Sequence, residues 1–169
     1  MFVFKILNLF LIVATSCYIG ICKSKMFVRR EQELKELKNA LEIFKSKIEF
    51  TYEPIGDIFM EISNMLYGNK ENIFKNFCTN LQNEEIWDSW KNSVENTNTH
   101  LNEEDKEVLL QLGKLLGKTD KLGQLNEINL VSTFLDRQIE TSHEERNKNE
   151  KLYKTLGGVA GLTIAIVLL

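Results

Sequence analysis

The run Gly113-Lys114-Leu115-Leu116-Gly117-Lys118-Thr119 is the part of this chain that most resembles reactive chemistry. It ends as a phosphate-binding loop ends, with glycine, lysine and a hydroxyl residue, a pattern in which backbone N–H groups cradle phosphates. That loop needs a further glycine five residues before its second one, and Leu112 stands there. It should also follow a buried strand, whereas Val108, Leu109 and Leu112 recur at helical spacing among charged residues. The run therefore reads as a helix-breaking hairpin, with Lys114 and Lys118 complementing the dipole at the helix end. No nucleotide site is assigned to it.

No other constellation offers catalysis. The carboxylates are interleaved with lysine on helix faces, the pattern of a solvated surface rather than of a general acid–base pair. Neither His100 nor His143 has a serine or cysteine that spacing would set beside it. Cys17, Cys22 and Cys78 lack metal-ligand spacing, so no zinc site or other cofactor is expected, and Cys78 reads as a small core residue. Trp87 and Trp90 lie three apart on one helical face and read as core or as a partner-contact surface. A formal net charge of −3 argues against a strongly basic nucleic-acid binder, and 43% hydrophobic residues with a single proline argue against disorder. The reading is a non-enzymatic protein with no small-molecule substrate.

The elements that would position these residues are set by two apolar segments at the chain's ends, Ile6–Cys22 and Leu156–Leu169. Lys23, Lys25, Arg29 and Arg30 follow the first; Arg146, Lys148, Lys151 and Lys154 precede the second. By the positive-inside rule the intervening region is cytoplasmic. The second segment is short, since fourteen helical residues reach only ~21 Å against a hydrocarbon core of ~30 Å; starting it at Tyr153, with Lys154 snorkelling, brings roughly 25 Å. Gly157 and Gly161 lie four apart in it, a spacing that lets helix backbones approach, and Ala14 and Gly20 offer small surfaces in the first segment. The competing reading is an exported, lipid-anchored helical binding module, because Ala14, Thr15 and Ser16 precede Cys17 much as at a lipoprotein processing site. Ala14 stands where a larger aliphatic residue is expected there, and the basic residues after the segment oppose export.

Between the anchors the periodicity is helical almost throughout, so the fold class is all-α: a bundle of about six helices between N- and C-terminal transmembrane segments. Leu34, Leu37, Leu41, Phe44 and Ile48 mark a long first helix, and Pro54 sits in the first turn of a second with Ile55, Ile58, Phe59, Ile62 and Leu66, closed by Gly68. A third starts at Asn72, and a short fourth carries Ile86, Trp87, Trp90 and Val94 before an Asn-rich loop over 92–98. Asn102 caps a fifth, and Asp120 caps a last, long one whose polar stretch over 140–151 reads as a solvated stalk. The expected division is an anchor over 1–25, a bundle with stalk helices over 26–152, and an anchor over 153–169.

The hairpin Leu112 to Asp120, with Gly113, Gly117, Lys118 and Asp120 followed by Gln124, leads into a helix carrying Leu125, Ile128 and Leu135 and then into a terminal apolar segment. In this the chain resembles the stage III sporulation protein AB family of endospore-forming bacteria. The likeness spans the full length, from the basic residues behind the first anchor through the Leu-rich helix and the Pro54-Ile55 start of the second. Gly56 stands where a second proline is often seen, and 64–102 matches only in helical character. The resemblance implies a component of the channel complex joining mother cell and forespore, similar to the platform protein of type II secretion. It would sit in the mother-cell membrane around the forespore, beside a cytoplasmic secretion-type ATPase and ring-forming proteins.

Overall fold

In the computed structural model, residues 2–51, 53–68, 70–115 and 121–168 are described, and they form six helices with no strand among them. The helices are α1 (Phe2–Phe50), α2 (Ile55–Tyr67), α3 (Ile73–Asn80), α4 (Ile86–Asn96), α5 (Glu103–Leu115) and α6 (Lys121–Val167). The expected anchors are not separate elements, because α1 and α6 each run on from apolar into polar sequence without a break. Neither helix contains a proline, and the glycines of α6 are tolerated inside it at a cost of about 1 kcal/mol each.

Local chemistry sets the ends of the shorter helices. Pro54, with φ −60° and ψ 143°, is the N-cap of α2 rather than a residue of its first turn. Gly68 ends α2 at φ 58°, in the region where a side chain would clash with its own backbone. The Asn72 side chain accepts the Lys75 N–H at 3.0 Å to start α3, while its amide donates to Ser63 Oγ. Before α5 the cap is reciprocal: Asn102 Oδ1 accepts from the Asp105 N–H at 2.8 Å, and Asp105 Oδ2 accepts from the Asn102 N–H at 2.9 Å. That is a capping box with Asp in the place usual for Glu.

The chain divides into two compact units, one of Met1–Glu31 with Glu140–Leu169 and one of Gln32–Ile139. Residues 26–31 and 140–152, expected within the bundle region over 26–152, thus group with the apolar ends. In the second unit Leu34, Leu37, Leu41 and Phe44 of α1 and Ile128, Val131 and Leu135 of α6 are buried, as their spacing predicts. Leu122, whose helical spacing to Leu125 would place it on the same face, is 65% exposed. Lys38 pairs with Asp136, and Ser132 Oγ donates to Glu42 Oε1 at 3.2 Å, so these parts of α1 and α6 run antiparallel.

Phe59 lies at the aromatic centre of this unit, its ring 4.6 Å from that of Phe44, 5.2 Å from those of Phe74 and Phe77, and 5.4 Å from that of Trp90. The edge-on and tilted pairs add to the burial of the rings. The 92–98 region departs from the expected loop, since α4 continues to Asn96. Val94 is fully buried, and the hydroxyls of Ser93 and Thr97 satisfy the carbonyls of Ser89 and Ser93 at 2.6 Å. Packing outweighs the weak helix propensity of asparagine here.

Cys78 is buried as expected, its thiol 3.3 Å from the Gly56 carbonyl oxygen. Burial pushes its pKa up to about 11 from 9.0, with Asp57 adding to the effect. In the unfolded chain the thiol ionises near pH 9, whereas the folded chain holds its proton up to about pH 11. Folding is therefore favoured fully below pH 9, and that contribution declines as the pH rises through the interval. A thiol-alkylating reagent at pH 8 should leave Cys78 unmodified in the folded protein and modify it once urea is added, as followed by peptide mass; rapid modification without denaturant would contradict this environment.

Candidate functional site

The unit formed by the two chain ends carries the features a membrane component would need. Here α1 and α6 run antiparallel at very close range. A Cβ built on Gly20 would lie 2.5 Å from the Tyr153 carbonyl oxygen and 3.0 Å from Gly157 Cα. One on Gly157 would lie 2.9 Å from the Ser16 carbonyl oxygen, and one on Gly161 3.0 Å from Val13 Cα. The missing side chains let backbone meet backbone, and Ser16 Oγ donates to the Gly157 carbonyl at 2.7 Å. The structure thus brings Gly157 and Gly161 against α1, with Val13, Ser16 and Gly20 opposite. Ala14, the other small residue considered, is exposed. Gly158 faces open space.

Further along the pair the seam turns polar. Ser24, Arg30, Glu31 and Ser142 are all buried, Ser142 within the stretch over 140–151 that the sequence pattern reads as solvated. Arg30 Nη1 donates to Glu145 Oε2 at 2.6 Å. The Glu31 side chain is only 3% exposed, and its two oxygens meet His143 Nδ1 at 3.3 Å and Arg146 Nη1 at 3.2 Å. Arg146 Nε reaches on to Glu150 at 3.2 Å, and Lys154 meets Glu150 at 2.8 Å. The hydrogen bond from Lys154, then that from Arg146, holds the Glu150 carboxyl below its ordinary pKa, and Glu150 and Glu31 hold the Arg146 guanidinium above its own. A carboxylate buried as Glu31 is costs stability unless paired, and Arg146 supplies that pairing from the facing helix. Pairing signals at i, i+4 along α6 are legible in the sequence, but the burial of Glu31 needs α6 opposite.

The outward faces of both helices are apolar and exposed, with Phe10 73%, Tyr18 69%, Leu162 56% and Ile166 74% accessible. Among the described residues one helix, Leu7–Phe50, is long and apolar enough in part to cross a membrane, which suggests membrane association.

The hairpin residues are distributed differently. Gly113 lies inside α5, not in a turn, and a Cβ there would fall 2.1 Å from Trp90 Cδ1. Its role is packing. Trp90 is fully buried and its Nε1–H donates to the Leu109 carbonyl at 2.7 Å, so it presents no surface to a partner; Trp87 is half-buried. Gln124 is half-buried in the first turn of α6. Gly117, Lys118 and Asp120 lie outside the described residues. No group of three or more His, Cys, Asp or Glu side chains able to hold a metal occurs among the described residues.

The family model for Stage III sporulation protein AB matches residues 5–169. The chain belongs to that family. The Stage III sporulation protein AB of Bacillus subtilis (strain 168) is 26% identical to this family member over 169 residues, which are 98% of this chain and 99% of that protein. A solved structure of a Stage III sporulation protein AB aligns with a TM-score of 0.65 and 22% identity, covering 71% of this chain and 98% of that one. At that identity it supports the all-helical fold that the Stage III sporulation protein AB family member shows here.

Proposed function

We propose that this chain is a non-enzymatic adaptor held in the membrane by both ends, with Gln32–Ile139 on the cytoplasmic side. In this reading it is one component of a multiprotein, secretion-like sporulation channel and couples a cytoplasmic ATPase to it from the mother-cell membrane around the forespore. The observation that supports this best is the paired chain ends: Gly20, Gly157, Gly161 and Ser16 let their mutual faces meet closely while their outward faces expose phenylalanine, leucine and isoleucine. A helix pair bathed in water would leave that apolar surface uncovered, whereas lipid covers it at no cost. Basic residues follow the first apolar segment and precede the second, so both flanks point to the same, cytoplasmic, side.

Sidedness is the decisive test. The reporter belongs at Asn98, which is exposed. With Cys17, Cys22 and Cys78 replaced, an Asn98→Cys chain in intact cells should resist a membrane-impermeant maleimide and react after the cells are opened. Labelling before lysis would favour the exported, lipid-anchored module instead.

A further inference from the structure

The face of α1 turned away from α6 in the paired chain ends is not uniformly apolar. At ~100° per residue, Asn8, Leu11, Thr15, Tyr18 and Cys22 fall within about 80° of one another, roughly 160° round the helix from Ser16, Gly20 and Ser24. All five are exposed, Leu11 to 61% and Tyr18 to 69%. They recur at alternating steps of three and four residues, the spacing of a left-handed helix–helix seam. Leu7, Phe10 and Ile21 flank the face on one side, Ile12 and Ile19 on the other. Thr15 Oγ1 lies 2.9 Å from the Leu11 and Ile12 carbonyls and is satisfied within its own helix, whereas the Asn8 side chain makes no hydrogen bond among the described residues. Asn8 precedes Lys23 by about 22 Å of helix, which keeps it inside a hydrocarbon core of about 30 Å that begins at Lys23. Acyl chains offer a carboxamide no partner there. The outward face of α6 differs, since it carries Val159, Leu162 and Ile166, which lipid covers.

We infer that this face of α1 is a homodimer seam, its occupant the same face of α1 in a second copy of the chain. Two copies inserted with one orientation present identical residues at identical depth, so a two-fold axis along the membrane normal sets Asn8 against Asn8. A carboxamide carries both donors and an acceptor, so two of them satisfy each other; a helix of another protein would need a matching polar group at the same level. Leu11 and Tyr18 then pack along the seam, and Cys22 meets Cys22 at its inner end. The inference rests on the membrane-anchored reading.

The test uses the full chain reconstituted in phosphatidylcholine vesicles, with Cys17→Ala and Cys78→Ala leaving Cys22 as its one thiol. Oxidation should link two chains through Cys22, with a yield that falls as added lipid dilutes the protein. With Cys22→Ala as well, Leu11→Cys should restore the link and Phe10→Cys, on the flank, should give little of it. Asn8→Leu should lower the dimerisation constant by about threefold to tenfold, read from energy transfer between labelled copies, while Phe10→Leu should leave it unchanged. Chains that stay monomeric at every protein-to-lipid ratio, equal yields from Phe10→Cys and Leu11→Cys, or an Asn8→Leu chain that associates as well as the parent each overturn the inference. So does a mixture of Leu11→Cys and Ile166→Cys copies that links Leu11→Cys to Ile166→Cys in preference to itself, which would seat α6 of the second copy on this face. A chain that fails to insert refutes the anchored reading itself, and flotation of the vesicles separates that failure from the others.

Discussion

Gly113→Ala is expected to destabilise the protein, even though alanine gains about 1 kcal/mol over glycine within a helix. The new Cβ would meet Trp90 Cδ1 at 2.1 Å and Nε1 at 2.9 Å, far inside contact distance. The indole has nowhere to go, since the rings of Phe59, Phe74 and Phe77 surround it at 5.4, 6.1 and 5.7 Å and its exposure is 0%. The carbonyl of Leu109 lies one helical turn before Gly113, so the bare glycine is what lets the indole N–H reach it at 2.7 Å. Overpacking of about 1–3 kcal/mol and a strained or lost buried hydrogen bond of about 1–3 kcal/mol oppose the propensity gain. The net expected loss is about 2–4 kcal/mol, read from urea unfolding of the full chain in detergent by circular dichroism. A variant as stable as the parent would show that the indole can shift without penalty.

Gly20→Leu should separate the paired chain ends. Its Cβ would lie 2.5 Å from the Tyr153 carbonyl oxygen, and because that atom is backbone the neighbour cannot turn aside; the helices must move apart. The close approach and the Ser16–Gly157 hydrogen bond are lost together. A cost of about 2 kcal/mol would lower the ratio of paired to unpaired ends roughly thirtyfold. Cysteines replacing Phe27 and Tyr153, whose rings stack in the parent, would report this as a sharp fall in oxidative crosslinking once Cys17, Cys22 and Cys78 are removed. Gly158→Leu is the control, because nothing lies within 4 Å of a Cβ there, and its crosslinking should match the parent. Equal yields in all three would make the glycines incidental to pairing.

Much of this molecule follows from the sequence, because helices are local structures. The positions of Leu34, Leu37, Leu41 and Phe44, the caps at Asn72 and Asn102 and the stop at Gly68 depend on residues within a turn or two, so spacing and residue type suffice to place them. The apolar ends and their basic flanks are equally legible, as is the four-residue spacing of Gly157 and Gly161. Which residue faces which partner depends on the register of helices far apart in the chain, and only the tertiary structure decides that. It makes Gly113 a packing residue of α5 rather than part of a hairpin, because Trp90 arrives from α4. It opposes Gly157 with Ser16 and Gly20 and leaves Ala14 exposed. It buries Glu31 where α6 brings Arg146 Nη1 and His143 Nδ1, more than a hundred residues away in sequence, within 3.3 Å of its carboxylate oxygens. A charge pattern along one helix carries no information about such a partner; the antiparallel pairing of α1 with α6 supplies it.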